Sequence, residues 1–309
     1  MPPQVLQSFD ELLLSTPTPN LIHSIPAMKR RMPSNGGTTL RMSRYDRLPT
    51  SPVPLGNTGV TPPSVDAERV DIDVRMQFYG QWIAVSEQVT LQVQDPVLTS
   101  LGIRLGASMR ETEDELIRDM LAGTAAMINC VGGVSGDAPT ELAESDISAV
   151  ISTLVGYNAK SVAQTIPGST QIGTNPIRNS YVALCHSNMT QDLENIAGFT
   201  YASAYPSQAN IKPSEWGSVK NLRFFVSSEG SVTKNASAKG NDIYNIFCCG
   251  MEALVMANQD SYKGHFRYNP PNIAGGPLGL YCSVGWKMPF ACGITNDQWV
   301  LNLRATLYA

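Results

Sequence analysis

The side chains best suited to chemistry in this chain are its three histidines and six cysteines. The histidines are His23, His186 and His265, and none has a second histidine, cysteine or carboxylate at the spacing of a known metal site. Cys185 and His186 would pair a nucleophile with a base, but neighbouring residues of a strand point to opposite faces. The sequence therefore predicts no metal centre and no cysteine nucleophile, and we expect a protein that is not an enzyme.

The remaining reactive groups have structural interpretations. The cysteines have apolar neighbours, which predicts buried, reduced thiols, and only Cys282 and Cys292 could face each other across a hairpin. The glycine-rich stretch 132–136 lacks the lysine and hydroxyl residue of a phosphate-binding loop. The carboxylates of 111–119 fit a solvated helix face with pairs four residues apart, such as Asp114 with Arg118. No cofactor is expected.

Composition excludes further classes of protein. Charged residues make up only 16% of the chain, and 25 glycines and 21 prolines indicate many turns and a surface covered by partners; an ordinary monomer with a weakly charged surface is the alternative. A net charge of −4 argues against a dedicated nucleic-acid-binding domain. The sequence contains no run of 18 apolar residues, so no membrane span is predicted. The N-terminus has no basic region typical of a secretory signal.

The elements that carry these groups begin with an irregular, proline-containing arm and an extended hairpin. A strand at 38–45, a proline-rich tip at 48–64 and an alternating run at 69–79 form the hairpin. One face of the return strand consists of Val70, Ile72, Val74, Met76 and Phe78. A long two-stranded arm has little core of its own and is marginal in water unless it lies on a neighbour. We therefore predict that these five residues contact another subunit.

A long helix and a compact region follow the hairpin. Asp95 and Pro96 predict the start of a helix that extends over 96–123. Beyond it we predict a helix capped by Ser145 and an apolar strand region at 243–257, bent near Gly250. Buried strands are predicted at Tyr181 to Cys185 and Leu222 to Val226. A final hairpin joins Val284 to Cys292 with Gln298 to Tyr308.

A cluster of basic residues is the one local charge anomaly. Its members are Lys29, Arg30, Arg31, Arg41, Arg44 and Arg47. Such a cluster can contact phosphates without reading sequence. It can equally pair with the acidic face at 111–119 of a neighbouring subunit, so both interpretations stay open.

The order of arm, extended hairpin, long helix, compact α/β region and closing strands resembles the major capsid proteins of tailed bacteriophages, which have the Hong Kong 97 fold. Three phrases are similar to one branch of that family: Pro19-Asn20-Leu21-Ile22-His23, Pro33-Ser34-Asn35-Gly36-Gly37-Thr38-Thr39 and Asp95-Pro96-Val97-Leu98. None of them carries chemistry.

The resemblance implies an α+β fold with five parts. They are an N-terminal arm at 1–36, an extended hairpin loop at 37–94, a peripheral domain with the spine helix at 95–140, an axial domain at 141–265 and a return to the peripheral domain at 266–309. Some members of the family join a lysine of the hairpin to an asparagine of a neighbour. This chain has no lysine between Lys29 and Lys160, so the resemblance implies a shell without such links.

The resemblance also implies a structural function and its partners. The expected protein assembles into pentamers and hexamers of an icosahedral head that encloses double-stranded DNA, which it contacts non-specifically. A separate scaffolding protein, a portal and decoration or cement proteins are expected partners, with assembly in the bacterial host cytoplasm, a place in the virion and no membrane. The alternatives are a nanocompartment (encapsulin-like) shell that packages enzymes, and a cytosolic α/β enzyme with an unrecognised site. Particle size and cargo separate the three.

Overall fold

The structure of the chain is a computed structural model. It describes residues 18–33, 37–48, 50, 64–87, 97–123, 126–163, 165–166, 179–206, 211–259, 265–271 and 278–308.

Three α-helices and two larger sheets form the described part of the chain. The helices are α1 (Val97–Ala122), α2 (Glu144–Gly156) and α3 (Thr190–Glu194). The strands are β1 (Ala27–Met32), β2 (Thr39–Tyr45), β3 (Arg69–Arg75), β4 (Gln77–Ser86), β5 (Met127–Asn129), β6 (Tyr181–His186), β7 (Thr200–Tyr201), β8 (Glu215–Val219), β9 (Leu222–Ser227), β10 (Val232–Thr233), β11 (Ile243–Cys249), β12 (Leu254–Gln259), β13 (His265–Asn269), β14 (Tyr281–Ile294) and β15 (Val300–Ala305).

The five-stranded sheet is built around β14, its longest strand. β4 pairs antiparallel along one edge of β14, and β12 and β13 pair with successive parts of the other edge. β1 adds to β12 in parallel and forms the outer strand on that side. This sheet has two faces that are covered differently.

Helix α1 covers the inner face of the five-stranded sheet. Leu105, Ile117 and Leu121 of the helix are buried with Trp286 and Met288 of β14 in one core cluster. The predicted long helix is therefore confirmed, while its predicted start at Asp95 and Pro96 lies outside the described residues. The periodicity predicted Leu116 and Met120 on the buried face, but the most buried positions are the next residues, Ile117 and Leu121. Leu116 and Met120 are partly buried beside them.

The extended hairpin is confirmed as a separate two-stranded sheet. β2 and β3 pair antiparallel from Thr39 opposite Arg75 to Tyr45 opposite Arg69. The hairpin lies over part of the outer face of the five-stranded sheet, where Val74 packs with Val255 and Ala291. The predicted tip at 48–64 lies almost entirely outside the described residues.

The eight-stranded sheet has the order β5-β15-β11-β6-β9-β8-β7, with β10 paired to β11. Its buried strands β6 and β9 confirm the predicted strands at Tyr181 to Cys185 and Leu222 to Val226. Ile147, Val150 and Leu154 of α2 pack into its core. The helix begins one residue before Ser145, and the backbone N–H of Ala143 donates to Asp146, so Asp146 and not Ser145 stabilises its start.

Two predictions about the path of the chain near its end were wrong. The region 243–257 is two strands, because the chain leaves the eight-stranded sheet after β11 and enters the five-stranded sheet at β12. β14 and β15 do not form a hairpin, because they belong to different sheets. β12 therefore lies in the five-stranded sheet and β15 in the eight-stranded sheet. The assignment of 141–265 to an axial domain and of 266–309 to a peripheral domain stays a prediction.

Cys282 and Cys292 both lie on β14 and are free thiols. Ten residues of one strand separate their Cα atoms by about 33 Å. A disulfide needs Cα atoms within about 7 Å, so the one pairing left open by the sequence is excluded within the chain.

Candidate assembly surface

The five predicted contact residues differ in their burial. Val74 is only 4% exposed because its own chain covers it, and Val70, Ile72 and Met76 are partly buried. A Cβ placed on Gly293 would lie 2.8 Å from Cγ2 of Val74, so the glycine allows the hairpin to approach β14 closely. The hairpin thus has its own docking site within the chain, which the sequence did not predict. Contact of these residues with another subunit stays a prediction.

Phe78 is the exception, with 68% of its surface exposed. The sequence placed it on one continuous strand with Val74, but the strand is interrupted at Met76, whose N–H donates to the carbonyl of Thr38 at 2.8 Å. In β4 the residues that face α1 are Tyr79 and Ile83. Phe78 immediately precedes Tyr79, and because successive side chains of a strand alternate between its faces, it points away from the helix.

Arg41, Arg44 and Arg47, the part of the basic cluster on β2 and just after it, are held by their own chain to different extents. Arg41 donates two hydrogen bonds of 2.7 Å to the carboxylate of Asp73, and this pairing lowers the pKa of Asp73. Arg44 donates to the carbonyl oxygen of Thr295 at 3.3 Å and lies 3.5 Å from Asp46. Arg47 is exposed. Two of the three side chains therefore position the hairpin before any partner is present.

The basic residues Lys29, Arg30 and Arg31 form a second group on β1, and all three are exposed. They line a pocket of about 300 Å³ together with Glu113 of α1. Burial raises the pKa of Glu113, and the nearby charges of Lys29 and Arg110 offset part of that effect. The structure therefore brings part of the basic cluster beside the acidic helix face of the same chain. Its contact with phosphates or with a neighbouring subunit remains a prediction.

The acidic helix face is less solvated than its spacing suggested. Asp114 is buried and bonds to His23, not to Arg118 as predicted. Arg118 instead lies 3.0 Å from Asp119 and 3.6 Å from Glu229. Residues three or four apart on a helix can pair, but here Asp114 turns toward the core and meets the arm.

The groups considered for catalysis occupy structural positions. Among the described residues no group of three histidines, cysteines or carboxylates could hold a metal ion. Burial raises the pKa of the Cys185 thiol to about 12 and that of Cys249 to about 12, so both stay protonated and unreactive at neutral pH. Nδ1 of His186 accepts the backbone N–H of Asn188, as expected for a residue that caps a turn.

The glycine-rich stretch 132–136 is organised by carboxylates. The N–H groups of Val131 and Gly132 donate to Asp146, and that of Ser135 donates to Glu141. Backbone N–H groups that already bond to carboxylates are not available to a phosphate. The loop joins β5 to α2, and because these N–H groups are already bonded it has no phosphate-binding geometry.

Sequence reasoning missed the exposed residues on the outer face of β4 and β14. Gly80 and Trp82 of β4 and Gly285 of β14 share that face, where Trp82 is 66% exposed. A glycine inside each strand pattern was the available signal, because glycine in a strand marks a close approach or a binding surface.

No helix in the described part of the chain has both the length and the apolar character required to cross a bilayer. A search of curated proteins found no match.

Solved structures similar to this chain include bacteriophage capsids. The capsid of Ralstonia phage GP4 matches with a TM-score of 0.69 at 12% identity, covering 99% of this chain and 96% of that one. The cyanophage Pam1 capsid matches with a TM-score of 0.69 at 12% identity over 98% and 96%. The head structure of Helicobacter pylori bacteriophage KHP40 matches with a TM-score of 0.67 at 14% identity over 99% and 96%.

At such identities these similarities establish the fold, which is the Hong Kong 97-like capsid fold predicted above. The sequence itself matches the model of the phage capsid protein family over residues 69–259, which span the return strand of the hairpin, α1 and most of the eight-stranded sheet. This chain therefore belongs to the phage capsid protein family and is a structural component of the virion shell.

Proposed function

We propose that this protein is the major shell subunit of a tailed double-stranded DNA bacteriophage and that it assembles into the hexamers and pentamers of an icosahedral head. The observation that carries the proposal is the hairpin β2–β3, which pairs with neither larger sheet and exposes one of its two faces. A subunit that extends such an arm can share its contacts with neighbours, and contacts between different surfaces close into rings.

The domain assignment predicted from the sequence becomes part of this proposal with the strands relocated. The five-stranded sheet and α1 form the peripheral part, and the eight-stranded sheet with α2 and α3 forms the axial part around the symmetry axes. The chain passes from one part to the other several times, as it enters β5, β12 and β15. They are therefore joined firmly enough to transmit ring contacts to the shell.

The basic residues on β1 support a role in contact with the packaged DNA. Lys29 and Arg30 are exposed and sit on one outer strand, a placement that suits non-specific contact with phosphates. Weakening of DNA retention by Lys29→Gln with Arg30→Gln, and less by Arg41→Gln, would support this role. Portal, scaffolding and cement proteins are further partners in this proposal, as is assembly in the host cytoplasm.

Electron microscopy of the purified full chain, with analysis of the particle contents, tests the proposal. We expect closed shells or rings of megadalton size, and DNA in particles taken from infected cells. Shells that contain enzymes and no DNA would favour a nanocompartment. A small soluble oligomer that forms no shell under any assembly condition would overturn the proposal.

A further inference from the structure

The turn at the end of β9 contacts three parts of the chain that are far apart in sequence. It consists of Ser227, Ser228, Glu229 and Gly230, and we call it the junction turn. Oγ of Ser227 donates to the carbonyl oxygen of Asn20 at 2.6 Å and accepts the backbone N–H of Glu229 at 3.1 Å. The junction turn therefore holds the arm beside the eight-stranded sheet.

Helix α1 is the second contact of the junction turn. Nη1 of Arg118 donates to the carbonyl oxygen of Glu229 at 3.2 Å and lies 3.6 Å from its carboxylate oxygen Oε2. Arg118 also lies 3.0 Å from Asp119 and 4.0 Å from Glu115, so it has other carboxylates beside it. Because α1 packs on the five-stranded sheet and β9 belongs to the eight-stranded sheet, this contact joins elements of the two sheets.

The third contact is with His186, the last residue of β6. A Cβ placed on Gly230 would lie 2.5 Å from Cα of His186, so the junction turn packs directly on the backbone of the histidine. The imidazole packs edge-on to the ring of Tyr244, with 5.5 Å between ring centroids. Its Nδ1 accepts the N–H of Asn188 at 3.0 Å and so caps the helical turn Ser187–Met189, which leads into α3.

The cap on this helical turn requires a neutral imidazole. A nitrogen that accepts a hydrogen bond carries no proton, so protonation of Nδ1 would set its N–H against the N–H of Asn188. Burial lowers the pKa of His186, and a hydrogen bond to the backbone of Ser228 and the charge of Glu229 offset part of that effect. Among the described residues, Glu229 is the charged group that acts on the imidazole, and Tyr244 is the titratable ring packed against it.

We propose that His186 is an acid-sensitive latch between the eight-stranded sheet and α1. The neutral imidazole caps the helical turn and leaves the carboxylate of Glu229 to Arg118. The protonated imidazole gives up the cap and attracts Glu229, while Arg118 pairs with the other carboxylates of α1. One proton thus loosens two contacts, the start of the helical turn and the attachment of the junction turn to α1. This inference concerns the single subunit and does not depend on the proposed function.

The direction of the pH dependence follows from the lowered pKa. The folded subunit binds this proton less tightly than the unfolded chain does. The stabilisation by neutral His186 is therefore complete above the ordinary histidine pKa of about 6.5, and it is lost as the pH falls through the lowered value.

Hydrogen exchange of the unassembled full chain at pH 7.5 and pH 5, corrected for the intrinsic pH dependence of exchange, tests the latch. At pH 5 the amides of 187–195 and of the junction turn should exchange about fivefold faster, the factor for loss of one hydrogen bond. His186→Asn supplies a neutral side chain that can cap the turn at both pH values and should abolish this increase. His265→Asn, at a histidine of β13 in the other sheet, is the matched control and should retain it.

Two results of this experiment would overturn the latch. One is wild-type exchange that is equal at both pH values. The other is an increase at pH 5 that persists in His186→Asn, because another group would then sense the acid.

A second measurement follows the exchange of Glu229 between its two partners. NMR titration of the histidine ring protons gives the pKa of His186, whose resonance is identified by its absence in His186→Asn. Glu229→Gln removes the attracting charge and should lower this pKa below the wild-type value. Arg118→Gln removes the competing cation and should raise it. Equal pKa values in the three proteins would show that Glu229 does not link His186 to α1, and the latch would be wrong.

Discussion

Nδ1 of His23 lies 2.6 Å from Oδ2 of Asp114, and this contact fastens the arm to α1. The backbone N–H of His23 also donates to Oδ1 of Asp114 at 2.9 Å. The two side chains are 1% and 4% exposed, and the imidazole packs edge-on to Phe247 at 6.3 Å between ring centroids. One carboxylate therefore satisfies two buried polar groups of a segment that has little regular structure of its own.

Removal of that carboxylate should destabilise the subunit. Asp114→Ala leaves the N–H of His23 and its imidazole nitrogen without their partner, at a cost of about 1–3 kcal/mol of unfolding free energy. Asp114→Asn keeps one acceptor and should cost less. Urea denaturation of the unassembled subunit measures both, with Asp119→Ala, 68% exposed at the side chain, as a control expected within about 0.5 kcal/mol of wild type. Equal loss at Asp119 would contradict the role of the buried pair.

Val74 and Phe78, which the sequence placed on one face, should respond differently to truncation. Val74→Ala removes buried methyl groups from the contact with β12 and β14 and should cost about 1–3 kcal/mol. Phe78→Ala removes an exposed ring and should change the unfolding free energy by less than about 0.5 kcal/mol. Hydrogen exchange of β2 and β3 in the unassembled subunit should increase only in the Val74 variant. Faster exchange in both variants would mean that Phe78 also holds the hairpin.

The tip of the hairpin should be needed for assembly and not for folding. Deletion of residues 48–64, which joins Arg47 to Val65, removes none of the described core residues. We expect a soluble subunit that unfolds cooperatively at nearly the wild-type urea concentration and forms no closed shells. Circular dichroism and electron microscopy of the same preparation measure the two properties. Loss of the folded subunit would show that the tip supports its own chain.

Local patterns predicted the hairpin, α1 and the buried strands because each depends on neighbouring residues. The alternation of β3 and the apolar run of β6 are readable from a few positions. The path of the chain between the two sheets was not readable, since β11 and β12 are both apolar and only Gly250 and the following turn separate them. A hydrophobic strand does not specify which sheet it enters, so the hairpin predicted at the C-terminus was wrong.

The candidate site shows the same limit. Asp114 lies among the charged residues of α1, and its helical spacing predicted a pair with Arg118. Its burial depends on His23, 91 positions earlier in the chain, and no local pattern contains that contact. The covered face was predicted wrongly for Phe78 because of a local feature. The alternation continues through Met76, but the strand is interrupted there, and this single interruption changes which face of the strand is covered.

The raised pKa of Glu113 predicts a pH-dependent contribution to stability. Because burial raises the pKa, the folded subunit holds this proton more tightly than the unfolded chain does. The contribution is therefore complete below the ordinary carboxyl pKa and is lost as the pH rises through the raised value. Glu113→Gln, which is neutral throughout, should be more stable than wild type at pH 7.5 and equal to it near pH 4.

Urea denaturation at both pH values measures this difference, with Glu111→Gln on the same helix as the control. A Glu113→Gln variant that is less stable than wild type at pH 7.5 would show that attraction to Lys29 outweighs the cost of burial. Lys29 and Glu113 line one pocket, so the difference in stability between Glu113→Gln and wild type also measures how strongly β1 is held against α1.

Shell subunits of this chain should remain unlinked by covalent bonds. A lysine can form an amide with an asparagine side chain of a neighbour, with loss of ammonia, only when its amine is deprotonated and aimed at the carbonyl. Between Arg30 and Ala159, an interval that includes the whole hairpin, every basic residue is arginine and none is lysine. Arginine stays protonated and cannot act as this nucleophile. Mature particles boiled in detergent should therefore release a single band near 33.4 kDa. A ladder of multimers that persists in reducing agent would show that a lysine outside the hairpin forms the link.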